Sequence, residues 1–188
     1  MESKNEFKPY IAADKSLPEM TVFSVVLGAI LAIVFGGANA YLGLRVGMTV
    51  SASIPAAVIS MGIIRMILNR DSILENNMVQ TIGSAGESVA AGAIFTLPAL
   101  FMWAEEGAAV TPSIITIAII AFIAGSLGVF FMIPLRSALI VKEHGILPYP
   151  EGTACAEVLL AGEKGGTSAS TVFKGSASRR FTNSSPTA

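Results

Sequence analysis

The sequence predicts an all-α membrane protein, with four transmembrane helices followed by a short re-entrant or interfacial helix. Three observations predict it. From Met20 to Leu44 the chain runs 25 residues without Asp, Glu, Lys, Arg or His, and comparable stretches follow at Val46–Ile64, Met78–Ala104 and Gly107–Leu135. A helix rises about 1.5 Å per residue, so about 20 apolar residues cross the hydrocarbon of a bilayer. Charged residues make up 13% of the 188, half the roughly 25% usual in a soluble domain. The basic residues are also sorted by side: with the N-terminus in the cytoplasm, eleven of the twelve lie inside and Arg45 alone lies outside. Such an excess orients membrane helices, so both termini are expected in the cytoplasm and the protein in a plasma (inner) membrane.

Composition also excludes several classes. A formal net charge of −1 with no basic patch argues against a nucleic-acid partner. One cysteine, Cys155, cannot build a disulfide framework or a cysteine-rich metal site, and no cofactor is expected. Residues 1–19 are polar or mixed, and the apolar run behind them is too long for a signal peptide. They read as a cytoplasmic segment before a four-span region at 20–135. A proline-punctuated segment follows at 136–164, then a Ser/Thr/Gly-rich tail at 165–188.

The first span carries Gly28, Ala32, Gly36 and Ala40, each four apart and therefore on one face, a pattern that lets helices approach closely in lipid. Gly36-Gly37 followed by Asn39 predicts a loosened end to this helix, since Gly frees the backbone and Asn competes for its hydrogen bonds. Arg45 then falls in a tight, apolar turn near membrane depth. There an arginine must snorkel, pair, or face a water-filled cavity. The second span holds Pro55, which inside a helix would free the carbonyl of Ser51. Broken helices of this kind build sites in transporters, and also occur without any substrate role.

The third span is the informative one, because Glu87 lies within an otherwise uncharged run. Helical spacing puts Gly83, Ser84, Ala90 and Ala91 on its side, so the carboxyl faces a neighbouring helix or a cavity rather than lipid. Desolvation penalises the ionised form, and a carboxyl so placed can exchange a proton near neutral pH. The competing reading is a protonated Glu87 donating a structural hydrogen bond. Pro98 is expected to break this helix before Trp103 at the interface. The fourth span, with Pro134 near its exit, shows no chemistry.

Past it, Pro148 and Pro150 exclude a continuous helix. The mostly apolar piece Thr153–Ala161 is too short to span. Glu151 stands at the start of that piece, where a carboxylate is stabilised by the helix dipole and ordinary capping would explain it. His144 and Cys155 have no partner constellation that would make a metal site or a nucleophile.

Three segments together resemble the oligopeptide transporter (OPT) family, which includes the yellow-stripe-like metal-chelate transporters. They are Asn39-Ala-Tyr-Leu-Gly-Leu-Arg-Val-Gly-Met-Thr-Val-Ser-Ala-Ser-Ile-Pro55; Gln80-Thr-Ile-Gly-Ser-Ala-Gly-Glu-Ser88 with Phe95-Thr-Leu-Pro98; and Leu147-Pro-Tyr-Pro-Glu-Gly-Thr-Ala-Cys-Ala-Glu157. Their order and spacing over about residues 15–174 carry the resemblance. It implies a secondary transporter of small peptides or peptide-like metal chelates, usually moving protons in the same direction, and no enzyme. Within the motifs, Glu87, Glu151, Arg45, Asn39, Tyr41, Gln80 and Ser84 become candidates for proton coupling or substrate contact, and Pro55, Pro98, Pro148 and Pro150 for helix breaks. Family members are several times longer, so this chain reads as an N-terminal part. Its final residues from Ser176 look like a truncated or frame-shifted end that could not transport alone. The alternative reading is a non-transporting helix-bundle module, or a truncated inactive product, that self-associates as a homo-oligomer.

Overall fold

The computed structural model describes residues 9–12, 14–69, 72–107, 111–143 and 145–164. All regular structure among them is helical: α1 (Val22–Val46), α2 (Ser53–Leu68), α3 (Ile73–Glu105), α4 (Ile114–Arg136), a π-helical segment at Ser137–Lys142, and α5 (Pro150–Lys164). Three stretches are long and apolar enough to cross a membrane, Val22–Val46, Ile73–Glu105 and Ile114–Lys142, with Ser53–Leu68 a shorter apolar helix. The expected Thr/Ser/Gly-rich tail and His144 lie outside the described residues.

Local sequence sets where each helix begins and ends. Thr21 and Ser24 cap α1 reciprocally: the Ser24 amide donates to Thr21 Oγ1 at 3.2 Å and the Thr21 amide to Ser24 Oγ at 3.1 Å. This arrangement satisfies two of the four amides that a helix start leaves unpaired. At the other end Gly47 takes φ +72°, the left-handed stop that glycine adopts without a Cβ clash. Ser72 caps α3 through the amide of Glu75 at 3.4 Å, and Ser113 caps α4 through the amide of Thr116 at 3.2 Å. Asn69 closes α2 with φ 48° and ψ 38°.

Three sequence expectations are corrected. The end of α1 does not loosen; it stays helical to Val46. Asn39 spends its side chain on the backbone of Val50, so it does not compete with its own helix. The second apolar run is helical only from Ser53, because the chain leaves the helix at Gly47 and residues 47–52 form a connection. Pro55 is thus the third residue of α2. In a first turn the missing N–H has no partner to lose, and no kink frees the Ser51 carbonyl. Pro98 lies inside α3, which continues as one helix through it to Glu105.

The chain divides into two compact units, and α1 and α3 each contribute a half to both. One unit comprises the start of α1, α2, α3 as far as Ser84, and α5. Its core is Ala57, Cys155 and Leu159, with Met61, Ile73 and Val158 packed around them. A Cβ added at Gly83 would stand 3.4 Å from both Leu31 Cβ and Ala56 Cβ, so α1, α2 and α3 converge there. α5 lies along α2 in the same direction. Cys155 Sγ approaches the Ser53 carbonyl at 3.9 Å near the two helix starts, and Arg65 Nη2 donates to the Gly162 carbonyl at 3.0 Å near the two ends.

The other unit comprises α1 from Ile33, the connection to Val50, α3 from Ala85, α4 and the chain to Tyr149. Here a Cβ on Gly36 would lie 3.2 Å from the Gly86 carbonyl oxygen, so α1 meets the backbone of α3. No residue of α4 is buried. Its π-helical extension is tied to the following loop by the Tyr149 hydroxyl, which donates to the Leu139 carbonyl at 3.1 Å.

Candidate functional site

A cavity of about 350 Å³ with several polar side chains in a mixed lining opens in the α2–α5 unit. Its walls include Ser53 at the start of α2, Asn77 and Gln80 on α3, and Glu151, Gly152 and Cys155 at the start of α5. Each wall follows from sequence. Pro150 fits the first position of α5, where it loses no hydrogen bond and its fixed φ suits a helix. Glu151 is consequently held in the first turn. Asn77 and Gln80 are three apart and so share one face of α3.

The carboxylate of Glu151 accepts a hydrogen bond from Ser51 Oγ. The same Ser51 oxygen accepts from the Ser53 amide at 3.5 Å, so one serine joins the start of α2 to the first turn of α5. Cys155, on the inner wall, is 5% exposed. Burial first, and the negative charge of Glu151 second, push its thiol above the usual range, so it is a neutral wall rather than a nucleophile.

Of the residues singled out by sequence, the structure brings Gln80 and Glu151 together in this cavity and places Pro150 beside it. Ser84 turns back onto its own helix, its hydroxyl donating to the Thr81 carbonyl at 3.3 Å. Pro148 belongs to the loop before α5.

Asn39, Tyr41, Arg45, Glu87 and Pro98 stand in the other unit. Asn39 is 3% exposed; its amide nitrogen donates to the Val50 carbonyl and its oxygen accepts from the Val50 amide, both at 3.0 Å. Arg45 is exposed, with its guanidinium carbon 6.0 Å from the centroid of the Tyr41 ring, the range of a cation–π contact. Glu87 is buried at 9% exposure, one residue after the Gly86 carbonyl that abuts α1 at Gly36.

Asn77 and Cys155 were not anticipated as cavity residues. The i, i+3 pairing of Asn77 with Gln80 was the available signal. A second buried acid, Glu75 at 0% exposure, also escaped attention, although Ser72-Ile-Leu-Glu75 has the spacing of a capping box. A larger cavity of about 390 Å³ lies between α3 and α4, but its lining is mainly apolar. The Thr96 hydroxyl on that wall is engaged by its own helix, donating to the Gly92 carbonyl at 3.1 Å.

Comparison with known proteins narrows what this arrangement serves. The family model described as OPT oligopeptide transporter protein matches residues 19–182. A Haemophilus influenzae protein named "Putative oligopeptide transporter" is 49% identical over 125 residues, which are 65% of this chain and 18% of that protein. The matched stretch is therefore less than a fifth of the relative's length. No solved structure matches the chain.

Proposed function

Because the chain belongs to the OPT oligopeptide transporter family, an integral, multi-pass membrane family of transporters, we propose that it forms part of a secondary transporter of small peptides. The observation that carries the substrate side of this reading is the gathering of Asn77, Gln80 and Glu151 in the lining of one cavity within a largely apolar protein. Its volume falls in the range of small-molecule sites. Peptide-like metal chelates, which present amide and carboxylate groups of the same kind, are the second substrate class. The cavity lies within the α2–α5 unit, and both termini of the chain are cytoplasmic in an inner-membrane protein, as the sorting of the basic residues supports.

Protons supply the driving force in this reading, and Glu87 carries them. Intramembrane carboxyls are costly to ionise, and they mark proton relays in many pumps and transporters. The burial of Glu87 within a spanning helix supports that role. Glu87→Gln keeps the shape and removes the carboxyl. In proteoliposomes of the intact transporter with an imposed pH gradient, the variant is expected to retain peptide exchange while gradient-driven accumulation is lost. Gradient-driven accumulation equal to that of the parent would sink the coupling role of Glu87.

A further inference from the structure

α2 and α5 run in the same direction with their starts adjacent, an arrangement that favours a carboxylate beside them. Glu151 takes that place: it stands in the first turn of α5 and accepts from Ser51, which also meets the start of α2. Its bonded oxygen and the helix starts are thereby engaged with each other rather than with a peptide terminus.

What the cavity does offer is carboxamide. Among the described residues the side chain of Asn77 makes no hydrogen bond. The Thr81 hydroxyl gives its one proton to the Asn77 backbone carbonyl at 2.8 Å and stands 3.4 Å from Gln80 Oε1, so the Gln80 carboxamide keeps both its donor and its acceptor. Asn77 and Gln80 thus each present a donor and an acceptor, and the second oxygen of Glu151 a further acceptor. That set matches the alternating N–H and C=O groups of a peptide main chain.

The chain contains its own example of this pairing. The carboxamide of Asn39 takes both the N–H and the C=O of Val50 at 3.0 Å each.

We infer that the α2–α5 cavity recognises the peptide main chain itself, through Asn77 and Gln80, independently of the charge at the peptide's termini. The inference rests on the reading of this cavity as the peptide site, and it deepens that reading by fixing what part of a peptide is recognised.

Ala156 lines the same cavity and is exposed, so the thiol introduced by Ala156→Cys in a Cys155→Ser background reports occupancy of this site. The test measures protection of that thiol against a small alkylating reagent in the detergent-solubilised chain. Three forms of tetra-alanine serve as probes: the free peptide, the N-acetylated and C-amidated peptide, and a peptide N-methylated at its two central amides. The free and doubly capped peptides are expected to protect at concentrations within twofold of each other. Since a neutral hydrogen bond contributes about 0.5–1.5 kcal/mol, N-methylation is expected to raise the concentration needed by about 2- to 12-fold for each bond lost. Asn77→Leu and Gln80→Leu, both on an accessible face, are expected to weaken protection by capped and free peptides alike. Protection by the free peptide with none by the capped one would overturn the inference and leave the peptide site standing. Protection by no peptide would overturn both.

Discussion

Two backbone groups of Val50 depend on a single side chain. The Asn39 carboxamide, buried and bonded to both, pins the connection between α1 and α2. Removing one partner of a buried hydrogen bond costs about 1–3 kcal/mol. Asn39→Leu is therefore expected to lower the midpoint of thermal unfolding in detergent and to expose residues 47–52 to protease, whereas a variant with parental stability would contradict the assignment. Asn39 was legible in the sequence as a polar residue in an apolar run, but its partner eleven residues on was not, because hydropathy carries no information about where a carboxamide points. The thiol of Cys155 gives a second expectation. The folded state favours its neutral form, so its contribution to stability is complete below the pKa of an unfolded cysteine, about 8.5. It is lost as pH rises towards the higher folded value. Glu151→Gln removes the smaller of the two causes, and at a fixed pH near 9 the alkylation rate of Cys155 is expected to rise.

Within the helices, small residues divide sharply by surroundings. A Cβ on Gly28 would lie 2.8 Å from Ile82 Cβ, whereas one on Gly37 would meet nothing within 4 Å. Gly28→Ala is expected to destabilise by about 1–3 kcal/mol through overpacking. Gly37→Ala is expected to be neutral, or to stabilise by up to about 1 kcal/mol through helix propensity. Equal effects in thermal unfolding would deny that the stripe faces α3. Pro55→Ala is expected to change stability by no more than about 0.5 kcal/mol, since a first-turn proline breaks no helical bond. The runs that became α1, α3 and α4 were legible because length and lack of charge alone mark a span. The start of α2 was not, because the apolar residues Met48 and Val50 read the same in a helix as in an extended connection, and only the φ of Gly47 and the Asn39 contact decide between them. For the cavity, the sequence supplied Gln80 and Glu151 separately; that α5 lies beside α2 is a matter of packing, which periodicity does not encode.

At the scale of the molecule the three long apolar stretches determine the solvent. With helices of 25, 33 and 29 residues suited to spanning, the chain is expected to stay in the membrane pellet after alkaline carbonate washing and to leave it only with detergent. Recovery in the wash would refute integral insertion. In α4, Ile114, Phe122 and Phe130 are among many exposed large side chains and no position is buried. Whether lipid or a further span covers it, such a helix meets hydrocarbon on every side. Isoleucine, valine, leucine and phenylalanine are close to equivalent to a hydrocarbon surroundings, while one mid-helix Asp, Lys or Arg costs about 2.5–3.5 kcal/mol. Its order of residues is therefore free to drift while its composition is not, and over many generations α4 should keep its hydropathy long after losing its spelling.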